Sequence, residues 1–340
     1  MVVKKLNTGF VYCCAWGLVF LLSASFFEIK APVGLKRSLD VKTSSVHGPS
    51  TPHYYLFSYF LRQDRGMCYA ISTDGNSWTP LNQAKPFLVP QVGMKLLRDP
   101  SICRSPDGLY HLVWTTSWSG TEFGYSSSTD LIHWSHQQAL ALMKNIPGTV
   151  NCWAPEIFYD KKKKEFIVYW SSTISTNGVY ADGKNYIYFS TTTDFKKFST
   201  PEILFSNGLS GGGNKGNQGV IDAYIFQKST SEYVLFYKKD DNTGVANLFY
   251  RFASDPLGEW GQEQGPILPS TGDEGPSCLM IGDEYRVYTD PAESHFAYIF
   301  ITKDFKTWKR MRSNLKMSHG SVIEIPDSLA LHLLNKTALK

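Results

Sequence analysis

A short motif recurs five times along this chain of 340 residues: a small or polar residue, an aspartate, and an aromatic four or five positions later. It reads STDGNSW ending at Trp78, STDLIHW at Trp134, TTDFKKF at Phe198, ASDPLGEW at Trp260 and TKDFKTW at Trp308. The aspartates stand at positions 74, 130, 194, 255 and 304, so neighbours lie 49 to 64 residues apart. Each copy has the chemistry of a turn, because the carboxylate can cap nearby backbone N–H groups while the aromatic packs back onto a sheet.

An apolar, aromatic-rich strand accompanies each copy: HYYLFSYF from His53, YHLVWTTSW from Tyr110, FIVYWSST from Phe166, YVLFYKKD from Tyr233 and YRVYTD from Tyr285. Further upstream lies a strand with a polar opening, as RDPSICR, WAPEIFY, IDAYIFQ and EGPSCLM. The fifth member of that set, HGSVIEI from His319, comes after the last turn instead of before the first. Units of about four strands repeating at this period predict an all-β chain, a five-bladed β-propeller. Pairing of HGSVIEI with HYYLFSYF closes the ring from both termini and removes its open edges. No segment carries sustained helical periodicity, which argues against an α/β enzyme.

The excess of 34 basic over 30 acidic residues leaves only +4, and no basic run would track a phosphate backbone, so no nucleic-acid partner is expected. Lys161 to Lys164, between two apolar runs, read as a solvated hairpin turn. At the N-terminus, Lys4 and Lys5 precede an apolar stretch from Phe10 to Phe27 with small residues near its end. That is the layout of a secretory signal, long enough to leave open a membrane tether through residues 10–27. Either way the remainder is expected outside the cell, secreted or anchored facing outward. Residues 1–27 are read as signal or anchor, 28–50 as linker, 51–326 as the propeller and 327–340 as a C-terminal tail. A monomer is expected. Cys68, Cys103, Cys152 and Cys278 follow no zinc spacing and cannot be paired from sequence.

In a propeller the first strand of each blade lines the central channel, and its opening residues face one rim. Around the ring that region holds Asp99, the WAPE segment with Glu156, Asp222, Glu274 and His319. Crowded acids in a partly desolvated funnel raise one another's pKa and mark catalytic or metal sites. Glycoside hydrolysis needs such equipment: one carboxylic acid to protonate the leaving oxygen, and one carboxylate to activate water or attack the sugar. Neighbouring blades of a rigid ring can hold the two at a fixed separation.

At these residues the chain resembles glycoside hydrolase family 43, the five-bladed arabinofuranosidases and xylosidases, over roughly residues 50 to 326. The resemblance implies a general base at Asp99 in RDPSI, an auxiliary carboxylate orienting the acid and setting its pKa at Asp222 in VIDAYI, and a general acid at Glu274 in DEGPS. It implies an axial position for His319 in HGSVI, sometimes near a bound ion, which leaves open a structural calcium although no cofactor is required. One departure is Ala223, where the family often has proline. The implied reaction is inverting hydrolysis of a terminal α-L-arabinofuranoside or β-D-xyloside in an oligosaccharide or polysaccharide, with acid and base about 6.5–9.5 Å apart.

Glu156, counted from the shared proline, aligns with Ser101 and is read as a supporting or sugar-contacting residue. Trp118 and Trp153 are the expected sugar platforms. The glycine-rich stretch Gly208 to Gly219 lacks the order of a phosphate loop and is read as a loop over the site. Asn335-Lys336-Thr337 is a glycosylation sequon. The alternatives are a retaining, invertase-like family 32 fructosidase, whose N-D-P-N-G-like opening and E-C pair are both missing, and a non-catalytic carbohydrate-binding propeller.

Overall fold

The structure, a computed structural model, describes residues 53–61, 66–178, 183–206, 219–239, 247–268, 272–291, 296–316 and 318–338. The expected signal or anchor, the linker and nearly all of the glycine-rich stretch lie outside these residues.

Val-, Ile- and aromatic-rich segments form antiparallel strands, as their fit to a pleated, half-buried surface dictates. Blade 1 contains β1 (Tyr54–Phe60), β2 (Met67–Ser72) and β3 (Thr79–Pro80). Blade 2 is β4 (Arg98–Arg104), β5 (Tyr110–Thr115), β6 (Phe123–Ser128) and β7 (Gln138–Leu140). Blade 3 is β8 (Trp153–Asp160), β9 (Glu165–Ile174), β10 (Lys184–Thr192) and β11 (Glu202–Phe205). In blade 4 the described strands are β12 (Val220–Ser229), β13 (Glu232–Lys239) and β14 (Asn247–Ala253). Blade 5 is β15 (Asp273–Ile281), β16 (Glu284–Pro291), β17 (Phe296–Thr302) and β18 (Lys309–Lys316). The last strand, β19 (Ser321–Ile325), returns to blade 1 and pairs with β1 from Tyr54↔Ile325 to Ser58↔Ser321. The ring is thus a five-bladed propeller closed by its two ends, as the displaced HGSVIEI strand predicts.

Apolar cores fill the spaces between successive blades. Phe57 and Trp78 of blade 1 meet Tyr288 of blade 5 edge to face, with centroids 5.6 Å and 5.7 Å from the Tyr288 ring. Equivalent clusters join blades 2 and 3, 3 and 4, and 4 and 5. Each fully buried side chain of this size contributes roughly 1.5–3 kcal/mol. Packing between blades therefore holds the ring closed around its polar centre.

The repeated motif caps the rim opposite the openings of the inner strands. Asp130 Oδ1 accepts the Ser128 hydroxyl at 3.1 Å and the amides of Ile132 and His133 at 2.9 and 2.8 Å. Asp74, Asp194 and Asp304 repeat the arrangement. The residue after the aspartate is left-handed at Gly75, Leu131, Phe195 and Phe305, and that residue is buried in all of them. Of the expected aromatics Trp78 is buried, whereas Trp134, Phe198, Trp260 and Trp308 are half-buried. Burial is thus shifted toward the residue following Asp, because the left-handed turn aims it at the core. In the fourth copy Pro256 takes that place, and its ring forbids the positive φ.

Lys161 to Lys164 form the exposed turn between β8 and β9, capped by Asp160. The four cysteines beyond the N-terminal segment form no disulfide. Within the expected C-terminal tail, residues 327–338 form α1 (Asp327–Ala338), whose Ala330 and Leu333 pack into the core between blades 1 and 2. Twelve residues are too few for a sustained periodic signal. The sequon lies on this helix, with Asn335 exposed.

Candidate active site

Four inner strands open with the same irregularity. Pairing slips between Arg98 and Ser101, between Trp153 and Glu156, between Ile221 and Tyr224, and between Glu274 and Ser277. The residue at the start of each slip is left-handed: Asp99 at φ 53°, Ala154 at 45°, Asp222 at 53° and Gly275 at 58°. Asp99 and Asp222 therefore occupy equivalent positions, and Ala223 in place of proline leaves the Asp222 backbone unchanged. Non-glycine residues held in this region mark places where the backbone is bent to aim a side chain. At Gly275 no other residue fits, since a Cβ would stand 2.3 Å from His319 Cγ.

The acids are tied together across blades. Asp99 Oδ2 accepts the Thr115 hydroxyl at 2.7 Å, and Thr115 Oγ1 accepts the Ala154 amide at 2.8 Å. Asp222 Oδ2 accepts the Gly275 amide at 3.3 Å, while its own amide donates to Ser171 Oγ at 3.1 Å. Glu274, one position ahead of Gly275, pairs with Lys238 Nζ at 2.7 Å. His319 sits in the middle, Nδ1 3.5 Å from Asp99 Oδ1 and Nε2 3.9 Å from Glu156 Oε1. The amide of His319 donates to Asp290 Oδ2 at 3.1 Å.

Burial sets the electrostatics. Asp99 and Asp222 are each 8% exposed, His319 4% and Glu156 2%. Burial pushes Glu156 up to about 8, against the opposing pull of His319 and of the Ser101 hydroxyl bonded to its Oε2. It pushes Asp290 up to about 7, with the Glu274 charge adding. Asp222 rises to about 6 for the same first reason, Glu274 adding while His319 and Lys238 oppose. For His319 burial disfavours the charged ring, yet Asp222, Asp99, Glu156 and Glu274 together raise its pKa. The site is a cluster of carboxylates around one imidazole in which Glu156, Asp290 and Asp222 are pushed toward neutral pH, which equips it for proton transfer there.

An axial ion would draw on His319. Both ring nitrogens face carboxylates, and the charged ring those acids favour has no lone pair to give. Among the described residues no three His, Cys, Asp or Glu side chains converge as a ligand set. The residues present do not fit an ion held by His319.

Among the described residues the mouth carries one exposed aromatic. Trp118 is 59% exposed, with the Arg98 guanidinium 4.6 Å from its ring centroid and likewise 4.6 Å from that of Phe60. Trp153 stands edge-on to it at 6.4 Å and donates its indole N–H to the Trp118 carbonyl at 3.1 Å. A braced, exposed ring of this kind offers a flat face to sugar C–H groups at little cost in ordering. Glu156 and His319 lie deeper, in the floor.

Three participants escaped the sequence reading: Thr115, Lys238 and Asp290. They share a signal. Thr115 faces Arg98, Lys238 faces Ile221 and Asp290 faces Glu274, so each is the second-strand residue opposite an inner-strand opening. Ser171 opposite Trp153 completes the set.

The family model described as a probable glycosyl hydrolase domain, related to family 43, matches residues 52–328. Among solved structures, a thermostable family-43 glycoside hydrolase aligns at 20% identity and a TM-score of 0.50, over 65% of this chain and 73% of that one. An α-L-arabinofuranosidase from Lactobacillus brevis aligns at 13% identity and 0.51, over 67% and 74%. A family 117 glycoside hydrolase from the marine bacterium Zobellia galactanivorans aligns at 16% and 0.50, over 66% and 69%. No protein of curated function matches.

Proposed function

Because this chain belongs to the glycosyl hydrolase family related to family 43 and is a glycosidase acting on carbohydrate, we propose that it removes terminal pentosides, α-L-arabinofuranosyl or β-D-xylosyl, with inversion. The observation that carries this reading is the placing of Asp99, Asp222 and Glu274 at the openings of three inner strands on one rim, Asp222 accepting the Gly275 amide next to Glu274 and His319 standing 3.5 Å from Asp99. Asp99, held by Thr115, is the base that draws a proton from the attacking water. Glu274, the more accessible acid, donates to the leaving oxygen. Asp222 fixes the Gly275 amide beside Glu274 and thereby orients the acid. His319 braces Asp99 from below with Glu156 on its other ring nitrogen, and Trp118 receives the sugar at the mouth, with Trp153 bracing it. The resemblance of RDPSI, VIDAYI and DEGPS to the pentosidase segments supports the substrate class, as does the fold shared with an α-L-arabinofuranosidase.

On the same reading no metal takes part, so protein treated with EDTA keeps its activity. The enzyme acts as a monomer, exported by its N-terminal apolar segment as signal or outward-facing anchor. The deciding experiment is a hydrolysis screen on pentoside and galactoside substrates, with the anomer of the first-formed product followed by NMR. Inverted arabinose or xylose is expected. Retained configuration would point to double displacement, as in the invertase-like alternative, and turnover of galactosides alone would remove the pentoside assignment.

A further inference from the structure

Glu274 on β15 faces Asp290 on β16 across the sheet, and two acids directly opposed on a ladder repel each other. The fold keeps them there and anchors each differently. Lys238 on β13 takes Glu274 as an ion pair, which needs Glu274 ionised. Proton donation needs the same group protonated. Both conditions cannot hold at once, so a donor at Glu274 requires a nearby source of protons. Asp290 supplies the place: its Oδ2 is fixed by the His319 amide, and it is half-buried. Burial, with the Glu274 charge adding, favours its protonated form near neutral pH. Among the described residues the charged groups around the pair are Lys238 on β13, Asp222 on β12, Asp99 on β4 and His319 ahead of β19.

We propose that Asp290 is the proton-holding partner of Glu274, the opposed pair carrying one proton that rests on Asp290 while Lys238 pairs with Glu274. The proposal rests on Glu274 being the acid. During turnover the proton passes from the Asp290 carboxyl to the Glu274 carboxylate and on to the glycosidic oxygen as the bond to the anomeric carbon breaks. Asp99 takes a proton from the water whose oxygen bonds to that carbon. After product release Asp99 gives its proton to solvent and the pair regains one, so the net change is addition of water. Asp290 acts through Glu274 and is a positioning residue.

The test compares two glycosides of the sugar the wild type cleaves, in the full chain: a 2,4-dinitrophenyl glycoside, whose leaving group needs no proton, and the methyl glycoside. Asp290→Asn should lower kcat about 10²-fold on the methyl glycoside, leave the dinitrophenyl rate nearly unchanged, and move the basic limb of the kcat/KM–pH profile to lower pH. Equal losses on both substrates with an unmoved profile, or no loss at all, would overturn the proposal. Lys238→Met gives an independent reading if Asp290→Asn folds poorly. Removing the cation should move the same limb to higher pH, and an unmoved limb counts against the pair. Glu274→Ala run alongside separates the two levels of inference. If it shows no dependence on the leaving group, the acid assignment itself falls and the proposal with it.

Discussion

The two rims of this propeller use aspartate in opposite ways. At the turn rim the carboxylate is fed by backbone amides: those of Lys197 and Lys196 hold Asp194 below the ordinary carboxylate range, and those of Thr307 and Lys306 do so for Asp304. At the mouth, amide donors are scarce and acids are crowded, so burial raises Asp222, Asp290 and Glu156. Both rims use carboxylates, and burial together with the supply of amide donors decides. Turn aspartates stay ionised and organise the backbone, whereas burial at the mouth favours the protonated forms of Asp222, Asp290 and Glu156.

The sharpest way to break this contrast is to remove mouth acids. Glu274→Ala and Asp99→Ala should each lower kcat by about 10²–10⁴-fold on an unactivated glycoside, with an unchanged thermal melt. Near-native turnover in either purified variant would detach the mouth from catalysis. Stability against pH offers a second, smaller test. Glu156 titrates near 8 in the folded chain and near 4.5 when unfolded, so the folded state holds the extra proton between those values. Its contribution is complete below about pH 4.5 and is lost as pH rises through 8, a change on the order of a few kcal/mol. His319, also raised, loses its contribution in the same direction. Glu156→Gln should flatten the decline between pH 5 and 8 in a series of urea melts. An unaltered slope would mean that burial does not hold that proton.

How much of this was legible follows from where each signal resides. The turns could be read because their chemistry is local: four aspartates find a hydroxyl two residues back and amides two and three residues on. The displaced HGSVIEI strand could be read because closure leaves only one partner for it. Asp99, Asp222 and Glu274 stood out as polar residues opening apolar strands. Thr115, Lys238 and Asp290 did not, since each stands at or next to the end of a strand, where a polar residue ordinarily marks only the approach to solvent. Their roles exist only across the ladder, and the slip at each inner strand, which sets what faces what, comes from left-handed backbone at Asp99, Asp222 and Gly275. The Lys238–Glu274 ion pair joins blades 4 and 5, a contact that no local pattern encodes.

The smallest expected effect sharpens the comparison from the other side. Asp130→Ala removes an acceptor that binds the amides of Ile132 and His133, the Ser128 hydroxyl and the His133 ring at 2.7 Å. Loss of such a cap costs about 1 kcal/mol, and kcat/KM should be unchanged, because the turn lies on the rim away from the acids. For Asp130 burial works against ionisation, but the amides and ring of His133 and Ile132 outweigh it and depress the pKa. Its stabilisation is therefore present above the unfolded value near 3.8 and is lost as pH falls, the reverse of Glu156. Asp255→Ala should cost less than Asp130→Ala, since Pro256 fixes the fourth turn through its ring and leaves less for the carboxylate to organise. Equal melts for the two variants would mean that the turns are held by packing of the residue after the aspartate, and that amide capping only accompanies it.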